Sequence, residues 1–148
     1  MAILGSRILV AYDSSEWSRK ALETAVRIAG QDSGIALHVL HVLEPIHFSS
    51  FSSSAYGYDI DKLWGLQREN AEKMMDEVKE NLQTLPNSVT FHIEEGKPGE
   101  CIIQKAQEQQ CDLIVMGSRG LTGIKELFLG SVSHYVVQRS ACPVLIVK

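Results

Sequence analysis

The sequence DLIVMGSRG, residues 112–120, joins an apolar run directly to a loop that contains glycine. Its apolar part, 112–116, has the length and composition of a buried β-strand. A short helical pattern, 132–139, follows further along the chain. Glycine lets a backbone approach a phosphate closely, and the N–H groups that begin a helix point at such an anion. This part of the chain therefore predicts a strand, an anion-binding loop and a helix in succession.

The rest of the chain repeats the alternation of strand and helix. Four further strands are predicted at 7–12, 35–43, 89–93 and 144–147. Three further helices are predicted after Asp13-Ser14-Ser15 and up to Gly30, from Ile60 to Pro86, and from Pro98. Gly30 stands where a left-handed glycine commonly ends a helix. Pro86 cannot continue a helix, and Pro98 suits the first turn of one.

Uniformly apolar strands that alternate with helices indicate a parallel sheet covered on both faces. Right-handed crossovers make it a doubly wound, Rossmann-like α/β fold. We expect one domain over residues 1–148, with five parallel strands in the order 3-2-1-4-5 and helices on both faces. The Ser- and aromatic-rich segment 46–58 shows no period and is predicted to be a long loop.

A ligand site is expected where the winding of the sheet reverses, beyond the carboxyl ends of the strands. The first strand ends at Tyr12-Asp13 and the fourth at Met116-Gly117, and the predicted order makes these ends neighbours. Asp13 and the glycine loop should therefore meet at one crevice. The alternative for Asp13 is the N-cap of the first helix. Ser14 and Ser15 can also cap, which would leave Asp13 for a ribose hydroxyl or a metal-bound water.

Composition narrows the classes of function. The 148 residues are 45% hydrophobic and 22% charged, with a formal net charge of −4, which argues against a general nucleic-acid or membrane-surface binder. The three cysteines are odd in number and lack C-x-x-C spacing, so a disulfide framework is not expected and a reducing cytoplasm fits. His38 and His41 lie three apart on a strand and should face opposite sides, so they cannot share a metal ion. We see no signal-peptide pattern and no apolar stretch of membrane-spanning length.

The spacing G-x2-G-x9-G-S, from Gly117 to Ser131, resembles the nucleotide-binding loop of the universal stress protein family. The likeness extends to Ile8–Leu22, His38–Val42 and the closing block Asp112–Lys148. No Walker G-x-x-x-x-G-K-[ST] motif is present. The resemblance implies an ATP-binding module, with Mg²⁺, that forms homodimers through its last strand, 143–148.

The resemblance also implies which residues hold the nucleotide. It assigns the phosphates to Gly117, Gly120, Gly130 and Ser131, helped by Arg119, Val132 and Ser133. It places Asp13 near the ribose and phosphates, and Val42 and Met116 at the adenine. For Arg119 the alternative is a solvated loop charge. A bulky residue at Gly117 or Gly130 is predicted to occupy phosphate space and to leave the fold intact.

Three functions stay open at this point. The first is a nucleotide-dependent stress-response module with at most slow ATP hydrolysis. The second is a slow ATPase or an adenylate-transferring enzyme, although related ATP pyrophosphatases carry a Ser-Gly-Gly-rich loop where this chain has Asp13-Ser14-Ser15. The third is a nucleotide-free dimeric scaffold. Efficient catalysis is not expected, because Asp13 and Arg119 are the only local candidates to position water and stabilise charge at a γ-phosphate.

Overall fold

Five parallel strands alternate with four helices in the computed structural model, which describes residues 5–45, 59–120 and 129–148. The elements are β1 Arg7–Ala11, α1 Glu16–Ala29, β2 Ala36–Leu43, α2 Ile60–Asn81, β3 Val89–Glu95, α3 Pro98–Glu108, β4 Leu113–Gly117, α4 Ser131–Arg139 and β5 Val144–Val147. The sheet order is β3-β2-β1-β4-β5, and every pair is parallel. The predicted fold and strand order are therefore confirmed, and β1 lies at the centre.

Two helix ends differ from the prediction. Gly30 has a φ of −63°, so it continues the right-handed turn and donates its N–H to the carbonyl of Val26 at 2.8 Å; the expectation of a left-handed glycine was wrong. Helix α2 ends at Asn81, and a turn follows in which Leu85 donates to the carbonyl of Leu82 at 3.1 Å. Both leucines still pack against the core, which is why their spacing looked helical. The loop predicted over 46–58 lies outside the described residues.

Two apolar layers enclose the sheet. Along β1 the side chains alternate, with Ile8 and Val10 in one layer and Leu9 in the other, and all three are fully buried. The first layer includes Ala21, Ala25, Ala29, Met75 and Val78, from α1 and α2. The second includes Ile102, Ala106 and Val136, from α3 and α4. Because helices cover both faces, ligand access is left to the ends of the strands.

The starts of β1 and β4 are joined by the carboxylate of Asp112. Its Oδ2 accepts from the backbone N of Ser6 at 3.1 Å and from Ser6 Oγ at 2.8 Å, and its Oδ1 accepts from the backbone N of Arg7 at 3.0 Å. Burial works against the charged form, but the hydrogen bonds from Arg7 and Ser6 outweigh it and hold the pKa of Asp112 below its usual value. These bonds connect parts of the chain 105 and 106 residues apart.

Cys101, Cys111 and Cys142 are free thiols in the structure. Cys111 is buried, and this burial raises the pKa of its thiol to about 11. The thiolate is the reactive form of cysteine, so Cys111 is a structural residue at neutral pH.

A pair of histidines links β2 and β3 inside the fold. His38 Nδ1 and His92 Nε2 are 3.0 Å apart, and the two rings stack with centroids 5.3 Å apart. Lys105, held by Glu94 at 2.6 Å and Glu108 at 2.9 Å, adds positive charge nearby. Burial, the neighbouring histidine and the cations Arg7 and Lys105 lower the pKa of His38 below 6.5. Burial and Lys105 lower the pKa of His92, and Glu94 and Glu108 oppose this only in part.

This pair should make the protein less stable in acid. Because both folded pKa values lie below the unfolded value of 6.5, the unfolded chain binds more protons in the window below pH 6.5. The stabilisation is complete above that pH and is lost as pH falls through the folded values. We expect His92→Gln, which stays neutral, to reduce the loss of unfolding free energy between about pH 7.5 and about pH 5 in urea titrations. An unchanged pH dependence would contradict this, and His134→Gln, which removes an exposed imidazole, is the matched control.

Candidate functional site

A cavity of about 470 Å³ opens where β1, β2 and β4 end. All ten residues predicted for the site line it: Asp13, Val42, Met116, Gly117, Arg119, Gly120, Gly130, Ser131, Val132 and Ser133. They come from separate parts of the chain and meet because parallel strands bring their carboxyl ends to one edge of the sheet. The structure therefore brings the predicted residues together, while their contact with a nucleotide stays a prediction.

The two ends of the glycine loop are tied to each other by hydrogen bonds. The N–H of Gly130 donates to the carbonyl of Ser118 at 2.7 Å. The hydroxyl of Ser133, a residue only 2% exposed, donates to the same carbonyl at 3.0 Å. Ser133 lines the cavity, but its hydroxyl is engaged within the protein. Its side chain therefore supports the loop, and the backbone N–H is the part of Ser133 left to meet an anion.

The first turn of helix α4 lines the cavity with N–H groups that the helix itself does not use. Gly130 is its N-cap, and the first helical hydrogen bond runs from the N–H of His134 to the carbonyl of Gly130 at 2.9 Å. The N–H groups of residues 131–133 precede that bond and have no acceptor within the helix. Its first turn carries no acidic side chain. With the positive end of the helix dipole, these groups are chemically suited to an anion at the cavity wall.

The two carboxylate oxygens of Asp13 have different surroundings, one in the turn after β1 and the other at the cavity. Its Oδ1 accepts from the backbone N of Ser15 at 3.0 Å. Ser15 is the N-cap of α1, because its Oγ accepts from the N–H of Ser18 at 3.2 Å. The other carboxylate oxygen, Oδ2, lies toward Gly120, where a Cβ would be only 3.1 Å away. Ser15 is thus the N-cap of α1, and Asp13 is not. This is the sequence-based alternative that leaves the Asp13 carboxylate for a ligand, and Oδ2 lies at the crevice.

The glycines of the loop are required for different reasons. A Cβ at Gly117 would lie 2.6 Å from Cβ of Trp17 and 2.8 Å from its carbonyl carbon. The open side of Gly117 therefore faces α1, and the prediction that a bulky residue there would fill phosphate space and spare the fold was wrong. A Cβ at Gly130 would have its nearest neighbours, Arg119 Cα and Ser118 O, at 3.5 Å. Gly130 thus has room for a side chain.

Arg119 is placed over an aromatic ring at the edge of the cavity. Its guanidinium carbon lies 6.0 Å from the centre of the Trp17 ring, within the range of a cation–π contact. The residue is partly buried and lines the cavity. Arg119 therefore packs against the protein near the anion site, contrary to the alternative of a solvated loop charge.

Sequence reasoning missed part of the cavity wall. Its other lining residues include His41 and Glu44 at the end of β2, Gln67 on α2, and Pro98 and Ile102 on α3. His41 is fixed by a contact of 2.8 Å between its Nδ1 and the carbonyl of Tyr12. His41 directly precedes Val42, a predicted site residue, so the sequence could have indicated that His41 lies near the site. Gln67 gave none, because the periodicity of a helix does not reveal which residues overhang the end of a sheet.

The fold and the cavity define a doubly wound α/β protein with a crevice at its switch point. Residues 6–148 match the model of the universal stress protein family. The chain belongs to that family.

Individual relatives agree with this assignment. Universal stress protein YxiE of Bacillus subtilis is 37% identical over 97% of this chain and 99% of its own length. The structure of universal stress protein UspA from Lactobacillus plantarum has a TM-score of 0.84 at 26% identity, covering 99% of this chain and 100% of that one. A universal stress protein from Archaeoglobus fulgidus, solved in complex with dAMP, shares the fold with a TM-score of 0.68 at 19% identity, covering 99% and 100% of the two chains.

Proposed function

We propose that this protein binds ATP, with Mg²⁺, in the switch-point crevice and acts as a nucleotide-dependent module of the stress response. The observation that carries the proposal is the juxtaposition of two unlike groups in one cavity. The N–H groups at the start of α4 that have no acceptor within the helix suit phosphate oxygens, and Asp13 Oδ2 suits a ribose hydroxyl or a metal-bound water. A phosphorylated nucleoside combines these features.

The shape of the cavity supports an adenine nucleotide. Leu40, Val42, Ile102 and Met116 line the cavity and provide apolar surface for a flat base. A family member that binds dAMP through the same fold adds support for the adenine class. Within the described parts of the chain no group of three or more His, Cys, Asp and Glu side chains could hold a metal ion. Mg²⁺ would therefore be carried mainly by phosphate oxygens and water, with Asp13 as the protein contact.

Slow hydrolysis is the most that the residues of the crevice support. Glu44 is a second carboxylate in the wall, but it lies at the end of β2, two positions beyond Val42. Asp13 already accepts a hydrogen bond from Ser15 through Oδ1, which reduces its use as a base. The protein therefore acts by binding nucleotide, and occupancy of the crevice changes a surface that a partner protein recognises.

The nucleotide content of the purified protein tests the proposal. We expect heat-denatured protein to release an adenine nucleotide near one per chain, or the stripped protein to bind Mg-ATP in calorimetric titration. Release of ADP alone would indicate hydrolysis, and Asp13→Ala would then show whether that carboxylate is needed. An empty protein that also fails to bind Mg-ATP would contradict the proposal and favour the scaffold.

The assembly that we propose is a homodimer joined by antiparallel pairing of residues 143–148. Strand β5 is at one edge of the sheet, and Leu145 is 38% exposed. An uncovered apolar edge strand favours pairing with another chain. Light scattering on the same purified sample should give the mass of two chains, and the mass of one chain would contradict the dimer.

A cytoplasmic location also belongs to the proposal. In the parts of the chain that the structure describes, no helix combines the length and the apolarity needed to cross a bilayer. The three free thiols suit a reducing compartment in which ATP is abundant.

A further inference from the structure

Gln67 contributes a side chain to the crevice from the side opposite the glycine loop. It lies in the second turn of α2, and α2 follows β2 in the chain and packs over β2 and β3. The glycine loop follows β4, on the other side of the central strand β1. A nucleotide that places its phosphates at α4 would therefore direct its base toward β2 and Gln67. Position alone makes Gln67 a candidate for contact with the base.

The first turns of α2 are held in place at this edge of the sheet. Arg68, the residue after Gln67, forms an ion pair with Glu95 at the end of β3. Asp59 caps the helix by accepting from the N–H of Lys62 at 3.2 Å. Gln67 is thus presented by an anchored helix, so its position is defined before any ligand binds.

The side-chain oxygen of Gln67 is buried and lacks a hydrogen-bond donor. Among the described residues, Gln67 Oε1 and Asn87 Oδ1 are the buried side-chain oxygens without a partner. The side-chain amide of Asn87 still donates to the carbonyls of Ala29, Asp32 and Ile35. These hydrogen bonds give Asn87 a structural role, which explains why its side chain is buried. No such contact with another described residue accounts for the burial of Gln67, which lines the cavity. A buried acceptor left unpaired is unfavourable, so this oxygen is suited to a donor brought by a ligand.

We propose that Gln67 Oε1 accepts a hydrogen bond from the exocyclic amino group of the bound base and so selects a 6-aminopurine over a 6-oxopurine. The inference rests on the proposed function and adds to it a residue that determines base specificity. Glutamine pairs well with adenine because the 6-amino group donates to its carbonyl oxygen. A 6-oxopurine would place a carbonyl oxygen against Oε1, leaving two acceptors buried together and unpaired.

Binding of ATP and ITP to the full-length, nucleotide-stripped protein tests this, because the two differ only in the 6-amino or 6-oxo group of the purine and in the proton that the 6-oxopurine carries on N1. With Mg²⁺ present, we expect calorimetry to show ATP binding about tenfold more tightly than ITP, the effect of one well-formed hydrogen bond in a buried site. Gln67→Leu keeps the approximate size of the side chain and removes the acceptor. It should weaken ATP about tenfold, leave ITP unchanged, and bring the ratio of the two affinities close to one.

Two further variants keep the test decisive. Gln67→Glu retains an acceptor oxygen of the same shape and should preserve the preference for ATP, even if Gln67→Leu disturbs α2. Gln83→Leu makes the same chemical change at an exposed residue beyond the end of α2 and should alter neither affinity.

An ATP-to-ITP ratio that is the same in the wild type and Gln67→Leu would overturn the inference and leave the proposed function standing. Equal affinity of the wild type for both nucleotides would do the same. If the wild type binds neither nucleotide, the proposed function fails, and the inference fails with it.

Discussion

Replacement of Gly130 by aspartate should lower the affinity for Mg-ATP by at least about 100-fold while the protein stays folded. Gly130 is the N-cap of α4, with an extended backbone at φ −66°, and a Cβ there meets no atom of the described residues closer than 3.5 Å. Aspartate is a better N-cap than glycine by a few tenths of a kcal/mol, because its carboxylate accepts from the first-turn N–H groups. The same carboxylate would occupy the anion site and repel phosphate.

Gly130→Asn separates charge from capping. It has nearly the same shape and also engages the first-turn N–H groups, but it carries no charge. We expect an intermediate loss of about tenfold, and thermal unfolding close to that of the wild type for both variants. Calorimetric titration and thermal melts give the two quantities. Wild-type affinity in the folded aspartate variant would show that the phosphates do not bind at α4.

Replacement of Gly117 by alanine should instead destabilise the protein, by about 3 kcal/mol, the upper part of the usual range for overpacking. The added Cβ would lie 2.6 Å from Cβ of Trp17 and 2.8 Å from its carbonyl carbon. Neither atom belongs to a flexible chain end, so β4 and the first turn of α1 must separate. Urea unfolding measures the effect directly.

Gly65→Ala is the control for that experiment. Gly65 is an exposed position within α2, and a Cβ there meets no described atom within 4 Å. Alanine favours a helix over glycine, so this variant should gain roughly 0.5–1 kcal/mol. Wild-type stability in Gly117→Ala would contradict the close approach of β4 to α1.

The fold and the meeting of Asp13 with the glycine loop could be predicted because both follow from local signals, whereas Val42, Met116, Val132 and Ser133 were named only through the family resemblance. Apolar runs alternating with helical periodicity define the order of elements, and the parallel connection rules then bring the ends of β1 and β4 together. The glycine loop and Asp13 stand directly after those strands, so their meeting needed only the strand order. Their role in holding a nucleotide is implied by the resemblance to the universal stress protein family, and the binding measurements will test it.

The remaining features depend on side-chain contacts between distant elements. The approach of Trp17 to Gly117 depends on how α1 crosses β4, which sequence spacing does not give. The contact of His38 with His92 depends on the register of β2 against β3, in which Leu40 is paired with His92. Gln67 depends on how far α2 overhangs the sheet. In each case the sequence shows the type of residue, but it does not show which distant residue lies next to it in the fold.

The central place of β1 has a consequence for how the protein is made. Its Arg7 is bonded to Asp112, 105 residues later, so a ribosome working at roughly 5–20 residues per second needs about 5–20 s to supply the second neighbour of the first strand. Until then β1 can pair with β2 on one side only, and its other edge is an open strand flanked by apolar side chains. Such an edge recruits other strands. The half-made chain is therefore a natural client for chaperones at the ribosome, and premature termination before β4 would release a fragment prone to aggregate.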